Sequence, residues 1–335
     1  MNADVLLAGH ICIDLTPQLF GTPRLRPGEL MEVGPARLTL GGSVANTGRA
    51  LAAAGLATRA QAVVGDDDLG RLVIDLATRE GMECSGIEVR SGVSTSYSLI
   101  VEPTDVDRSI WHHPGANELF DGCGVDPTQA RVFHVGYPPL LPALLADDGR
   151  PLRAVLERAR SAGTTTSLDM AVVDPGSPVA AADWPAFFAA VLPLIDVLSP
   201  SYDDIASALG SDEPADLERV ERLARGLLAD GAAVVALSAG ALGLYLVTAG
   251  VDRLQGAGSL LAEQAALWAD RAFWTAADPV AKVVTTNGAG DAATAGLLHG
   301  MITGAGPEAS ARRATRFAAL SIAGRRPTPA DGASS

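Results

Sequence analysis

For most of its length the chain alternates short apolar, β-type runs with longer stretches in which apolar residues recur every three or four positions. The short runs are VLLAGHICI (5–13), ARVFHVG (130–136), TTTSLDM (164–170), IDVLSP (195–200), AAVVALS (232–238) and GLYLVT (243–248). Between them lie amphipathic, Ala-, Leu- and Arg-rich stretches such as PLRAVLERARSAG (151–163) and ADLERVERLARGLLADG (215–231), which end on Gly as helices do. This alternation predicts right-handed βαβ units, a mainly parallel sheet and a helix–sheet–helix sandwich.

Two segments break the rhythm. Residues 14–40 carry Pro17, Pro23, Pro27 and Pro35, and within 93–115 the runs STSYSLIV and RSIWHH alternate like exposed antiparallel strands. They are expected to pair into a small accessory sheet near the carboxyl ends of the main strands, where α/β ligands sit, and so to form a lid. The expected organisation is an α/β core of 1–13, 41–92 and 116–326, a β lid of 14–40 and 93–115, and a polar, Pro-rich, disordered tail of 327–335. No internal repeat interrupts it.

Composition narrows the chemistry. With 335 residues, 48% hydrophobic, and 36 glycines, the chain can bury a large core. A net charge of −14 argues against nucleic acid or an anionic membrane as partner. Cys12, Cys84 and Cys123 are scattered, without zinc-site or disulfide spacing, which fits a reducing cytoplasm. The start MNADVLLAGHICIDL lacks a basic, secretory leader, and no 18-residue apolar run predicts a membrane span. Among 25 cationic residues only Lys282 is lysine, and no G-x-x-x-x-G-K-[ST] loop exists, so a Walker-type NTPase is excluded. Phosphate, if bound, must be held without a lysine.

The strongest local signal is TTNGAGDAATAGLLHG (285–300), where a strand-like VVTT enters a Gly-Ala-Gly turn and a helix opens at Asp291. Gly288, Ala289 and Gly290 would present free backbone N–H groups and the positive end of a helix to an anion, and an Asp there could accept a proton from an attacking hydroxyl. Read alone, the segment fits equally an Asp that caps a helix. The second signal is GGSVANTGRALAAAG (41–55): Gly41 and Gly42 permit close backbone approach, and Asn46 offers a donor and an acceptor to a polyol. A Gly-Gly turn before a packed helix explains it as well. Asp14, at the end of G-H-I-C-I-D, is placed to accept two hydroxyl hydrogen bonds or to be a solvated loop carboxylate.

Taken together, GGSVAN and NGAGD resemble the two signatures of the ribokinase-like, or PfkB, family of carbohydrate kinases. Further landmarks follow in order: Gly9 to Asp14, GDDDLG (65–70), GAN (115–117), SLDM ending on Asp169 and Met170, PSYDD (200–204), and Gly240-x-x-Gly243. The resemblance covers nearly the whole chain. It implies a three-layer α/β/α sandwich with a β lid, and Mg²⁺-dependent transfer of the γ-phosphoryl of ATP to a hydroxymethyl group of a sugar, sugar-like or nucleoside acceptor. It further implies that Asp291 is the catalytic base and that Gly288, Ala289 and Gly290 form the anion hole. Asp14, Gly41, Gly42, Asn46 and Asn117 would hold the acceptor; Ser238, Gly240, Gly243 and Thr286 would line the nucleotide site; Asp204 would reach the metal through water.

Three departures qualify that picture. The family's N-x-x-E is Ser201-Tyr202-Asp203-Asp204, its usual aspartate six residues before the base is Thr285, and YPP follows VFHVG where ribose kinases carry an acidic sugar contact. Metal geometry, monovalent-cation activation and the identity of the acceptor therefore stay open. Other features are weighed against a bland reading: Lys282 lies too late in the chain for a protein-kinase ATP lysine, Asp66–Asp68 suit a helix N-terminus, and His112 and His113, on opposite faces of a strand, suit lid-strand residues near the substrate mouth rather than a metal site. Trp111 is the one tryptophan placed to touch substrate. The rival readings are a nucleoside kinase on the same fold and a non-catalytic sugar- or nucleotide-binding regulator. Unpaired lid edges make the lid a candidate dimer surface.

Overall fold

The computed structural model describes residues 3–24, 26–103 and 109–333; the last two tail residues and part of the expected lid, 25 and 104–108, lie outside it. Among the described residues the strands are β1 (Ala3–Gly9), β2 (Cys12–Pro17), β3 (Ala36–Gly41), β4 (Thr58–Gly65), β5 (Glu83–Arg90), β6 (Tyr97–Val101), β7 (Ser109–His113), β8 (Ala130–Gly136), β9 (Thr165–Asp169), β10 (Val197–Leu198), β11 (Val234–Ser238), β12 (Leu244–Thr248) and β13 (Ala272–Thr275). The helices are α1 (Ser43–Ala53), α2 (Asp68–Arg79), α3 (Pro142–Ser161, interrupted at 146–149), α4 (Trp184–Val191), α5 (Tyr202–Ala208), α6 (Leu217–Ala229), three short helices α7 to α9 (Val251–Gln255, Ser259–Ala262 and Ala265–Trp268), α10 (Ala289–Ile302), α11 (Pro307–Ile322) and α12 (Pro329–Ala333).

Nine strands form one sheet in the order β13-β12-β11-β10-β9-β8-β1-β4-β5. From β11 to β5 every neighbour pairs in parallel, and β12 and β13 complete one edge antiparallel. Alternate residues feed opposite cores. Leu6 and Ala8 of β1 face one layer with Leu152 and Val155 of α3 and Val220 of α6; Val5 and Leu7 face the other, with Val44 and Leu51 of α1 and Leu297 of α10. The sandwich is three-layered, as expected.

The second sheet has the order β3-β2-β6-β7, with β2 and β6 parallel and the outer pairs antiparallel. The run 5–13 is thus two strands, not one: the chain leaves the main sheet at His10 and Ile11 and enters the small sheet at Cys12. Gly9, at φ +125, makes that exit, since a Cβ there would press on the carbonyl of Gly136. Strands β4 and β5, unread in the sequence, lie at the sheet's end; β5 is half exposed and pairs with β4 through a bulge. The tail is ordered to Ala333 rather than disordered from 327: Asp331 accepts from the N–H and hydroxyl of Thr328 and starts α12, whose Gly332 packs on the His299 ring. Asp67 behaves as the helix cap expected of it, accepting from the N–H of Gly70 and from Thr95.

Candidate active site

Residues at and just after the carboxyl ends of β1, β8, β9 and β10, among them His10, Tyr137, Asp169 and Asp204, gather around Asp291 and build the site. The turn at Ile11 is fixed by Asn117, whose Oδ1 accepts from the Ile11 N–H at 3.3 Å and whose Nδ2 donates to the Ile11 carbonyl at 2.9 Å. Both ends of that buried amide are spent on backbone. Asn117, expected at the acceptor, braces the joint between the two sheets instead.

Asp291 occupies the first turn of α10 and is fully buried. Its Oδ2 accepts from Nδ2 of Asn46 at 2.9 Å and from the Tyr137 hydroxyl at 2.7 Å, and the Thr47 hydroxyl reaches Oδ1 at 3.4 Å. Burial pushes this carboxyl up from its ordinary value, while the bonds from Tyr137 and Asn46 pull it back. Asp169 and Asp204 share the same low-dielectric space: burial and the charges of Asp291 and Asp204 raise Asp169 well above the carboxylate range, and burial pushes Asp204 up to about 6. Asp204 also closes a capping box on α5, accepting from the N–H of Ser201 at 2.9 Å and its hydroxyl at 2.6 Å.

The glycine turn differs in detail from expectation. Residues 283–286 are not a strand; the Val284 N–H bonds the Ile322 carbonyl at 2.8 Å, and α10 begins at Ala289, two residues before Asp291. Gly288, at φ +74, caps the helix with Asn46 against it. The Ala289 N–H reaches the Thr286 carbonyl at 3.4 Å, whereas Gly290 faces open space where a Cβ would be. Helix first-turn N–H groups have no intrahelical acceptor, so α10 turns a positive, donor-rich end toward that space.

Asp14 and the double glycine fit together. A Cβ on Gly41 would overlap the Asp14 carboxylate, and Gly42, at φ +86, lies against His10. Oδ2 of Asp14 accepts from Nδ2 of Asn287 at 2.9 Å, which ties the small sheet to the loop before α10. Burial raises the Asp14 carboxyl, against the bonds from Cys12 and Asn287. Asp14, Asn46, Asn287 and Gly288 border a cavity of about 210 Å³ between the small sheet, helices α1 and α10 and the end of α11.

Ser238, Gly240 and Gly243 stand apart from this group. Ser238 ends β11 and bridges to Ser201, the cap of Asp204's helix. Gly240, at φ +53, faces open space, but Gly243, at φ +100, is packed so that a Cβ would overlap the Thr275 carbonyl. Thr286 lies in the loop before α10, and Thr285 donates to Glu102 of the small sheet at 3.2 Å.

Two partnerships at the site were not read from the sequence. Tyr137 follows β8 in a left-handed conformation, φ +62, and contacts Asp291 directly. His10 and His112 meet Nε2 to Nε2 at 3.2 Å, and His112 continues through Ser98 (3.1 Å) and Cys12 to Asp14. Burial keeps both imidazoles neutral, holding His10 well below its usual value and His112 down at about 4. Strand parity would have found the second: Asp14, Ser98 and His112 share the inner face, since Asp14 pairs with Ser98 and Ser98 with His112. The same parity puts Trp111, expected to touch substrate, on the outer face, 49% exposed, opposite Leu99 and turned away from Asp14.

A mainly parallel sheet whose strand ends meet a buried carboxylate at a glycine-opened helix, beneath a small β sheet, is the ribokinase-like arrangement. The fold matches that of Arabidopsis thaliana ribokinase, solved with ribose and ATP, at a TM-score of 0.75 and 19% identity over 99% of this chain and 98% of that one. It also matches Burkholderia thailandensis nucleoside kinase, solved with inosine, at a TM-score of 0.68 and 19% identity over 98% and 96%. The family model for pfkB family carbohydrate kinases matches residues 2–330, and the chain belongs to that family. Among curated relatives, "Probable fructokinase-7" of Arabidopsis thaliana is 25% identical over 224 residues, 63% of this chain and 60% of that protein. An ATP-dependent ribose-1-phosphate kinase of Halopiger xanaduensis is 28% identical over 208 residues, 61% and 67% respectively. The match thus spans about three fifths of the plant relative's length.

Proposed function

We propose that this protein is an ATP-dependent kinase that transfers the γ-phosphoryl group to a hydroxyl, in our reading a hydroxymethyl, of a sugar or sugar-like molecule. The observation that carries the reading is the buried Asp291 at the open N-terminus of α10, bonded by Asn46 and Tyr137. Asp14, Asn46 and Asn287 bind and orient the acceptor. Its reacting hydroxyl replaces the Tyr137 hydroxyl as the donor to Asp291, which accepts the proton as the oxygen attacks phosphorus. Charge spreading over the transferring group is met by the N–H groups at Gly288 to Gly290 and by the helix dipole.

The acidic trio fits a hydrated divalent cation: burial and the charge of Asp291 raise the proton affinity of Asp169 and of half-buried Asp204, yet among the described residues no three His, Cys, Asp or Glu side chains stand close enough to chelate a bare ion. Asp204 and Asp169 would hold Mg²⁺ through its waters, where it would neutralise phosphate charge. The Ser238–Gly243 turn would receive the nucleotide. Small cavity size supports a sugar over a nucleoside, because about 210 Å³ lies below the roughly 300–1,000 Å³ of drug-sized sites and among the described residues no aromatic side chain lines it for base stacking. Free Cys12, Cys84 and Cys123 fit our expectation of a reducing cytoplasm, and no helix among the described residues is long and apolar enough to cross a membrane. On the outer lid face Leu38, Tyr97 and Trp111 are exposed, which supports that face as a dimer surface.

The test is ADP release by purified protein against a panel of sugars and nucleosides, for wild type and Asp291→Asn. The variant is expected to lose about 10²–10⁴-fold in kcat. Wild-type turnover by the variant would overturn the assignment.

A further inference from the structure

The cavity beside Asp14 has more positive charge than a neutral sugar requires. Four arginines border it, Arg37, Arg49, Arg325 and Arg326, in a protein whose net charge is −14. Two of these have carboxylate partners: Arg37 pairs with Glu102 at 3.4 Å and Arg326 with Glu80 at 2.6 Å. The other two differ. Arg49 is half-buried on α1, three residues after Asn46 and so on the same helix face, and its Nη1 donates to the Leu40 carbonyl at 3.2 Å. Arg325 is exposed and makes no ion pair among the described residues. Neither guanidinium has its fork of donors filled by a carboxylate.

We propose that the acceptor carries an anionic oxygen group, a phosphate ester or a carboxylate, which Arg49 and Arg325 receive while its hydroxyls lie between Asp14, Asn46 and Asn287. This rests on the kinase reading and narrows its substrate class. A planar guanidinium matches the paired oxygens of either anion and is less hydrated than an ammonium, which suits arginine to this wall. The negative field of the whole chain repels such a substrate, and local cations at a narrow mouth counter that repulsion where it matters. Arg49 also lowers the proton affinity of Asp14 and Asp291, so its charge is felt at both carboxyls.

The experiment compares three arms in the ADP-release assay: neutral sugars, their monophosphate esters and the corresponding sugar acids. One anionic arm is expected to exceed its neutral parent at least tenfold in kcat/KM, and which arm does so identifies the anion. Arg49→Met and Arg325→Met should each reduce that anionic-to-neutral preference about ten- to hundredfold, chiefly through KM, with Arg49→Lys partly restoring it. Thermal melts of each variant verify folding, and Arg325, being exposed, keeps the test alive if Arg49→Met does not fold. Equal use of neutral and anionic acceptors, or a preference unmoved by both substitutions, overturns the proposal while leaving the kinase reading intact. If no acceptor yields ADP, the kinase reading fails instead, and calorimetric titration with the same sugar phosphates and sugar acids decides: binding weakened by Arg325→Met supports the anion site, and absence of binding overturns it.

Discussion

Tyr137 donates its phenolic hydrogen to Oδ2 of Asp291 across 2.7 Å, from a backbone held at φ +62. The bond favours the ionised carboxylate and offsets the burial that raises its proton affinity. Tyr137→Phe removes the donor and keeps the ring. Asp291 should then hold its proton to higher pH, and the acid limb of kcat/KM, which reports the free enzyme, should move up by about one unit or more. A pH–rate profile from pH 5 to 9 measures this; an unmoved acid limb would show that the phenol does not tune the base.

Gly41 and Asp14 share space that leaves no room for a methyl group. Gly41→Ala must displace the carboxylate, breaking its bond to Asn287 and the frame that holds the acceptor. Overpacking of this kind costs about 1–3 kcal/mol. The expected kinetic result is a KM for the acceptor raised at least tenfold with a smaller change in kcat, because Asp291 and α10 are untouched. A fall in kcat alone would place Asp14 with the chemistry rather than with binding.

Asn117 supports the joint between the sheets through two bonds to one residue, and Ile11 is wholly buried. Asn117→Ala strands a buried N–H and a buried carbonyl, at about 1–3 kcal/mol for each. Asn117→Asp keeps an acceptor for the N–H but, when ionised, sets a buried charge against the Ile11 carbonyl, so near pH 7 it should be at least as destabilised as the alanine variant and should recover as pH falls and the carboxyl gains a proton to donate. Urea denaturation measures all three, and an Asn117→Ala loss below about 1 kcal/mol would mean that water replaces the amide.

The layered fold was legible because buried strands and amphipathic helices differ in period, and the two glycine signatures because their backbone demands leave few substitutes. Side-chain partnerships across distant segments were not. Tyr137 follows an ordinary strand, and nothing local marks its hydroxyl as the partner of a carboxylate 154 positions away. Asn117 misled for the same reason: an amide in a loop reads as a ligand contact until the backbone it serves, 106 residues earlier, is in view. His112 was legible as a lid-strand residue near the substrate mouth, and strand parity puts it on the face of Asp14. Strand β5 was missed because an exposed edge with a bulge carries no clean alternation.

Asp204 carries a cost that pH exposes. A carboxyl whose folded-state pKa lies above its unfolded one binds its proton more tightly in the native state, so its penalty begins above the ordinary value and is complete above the raised one. Burial moves Asp204 from 3.8 to about 6, so the ionised group destabilises the fold by about 3 kcal/mol at pH 7 and by almost nothing below pH 4. Asn at this position keeps an oxygen for the Ser201 N–H and hydroxyl and loses the charge. Asp204→Asn should therefore be more stable than wild type at pH 7, by up to that amount from this group alone, with the gain shrinking toward zero as pH falls through 6 to 4. Groups that do not feel the Asp204 charge cancel in the difference between the two proteins, whereas Asp169, whose proton affinity that charge raises, adds a pH-dependent gain of the same sign. Activity should move the opposite way, because the neutral amide cannot hold a hydrated cation beside Asp169. Urea denaturation at pH 4, 5.5 and 7, together with turnover across a Mg²⁺ series, measures both effects. A stability difference independent of pH would mean that Asp204 titrates as an ordinary carboxylate, with the capping bonds of Ser201 outweighing its burial.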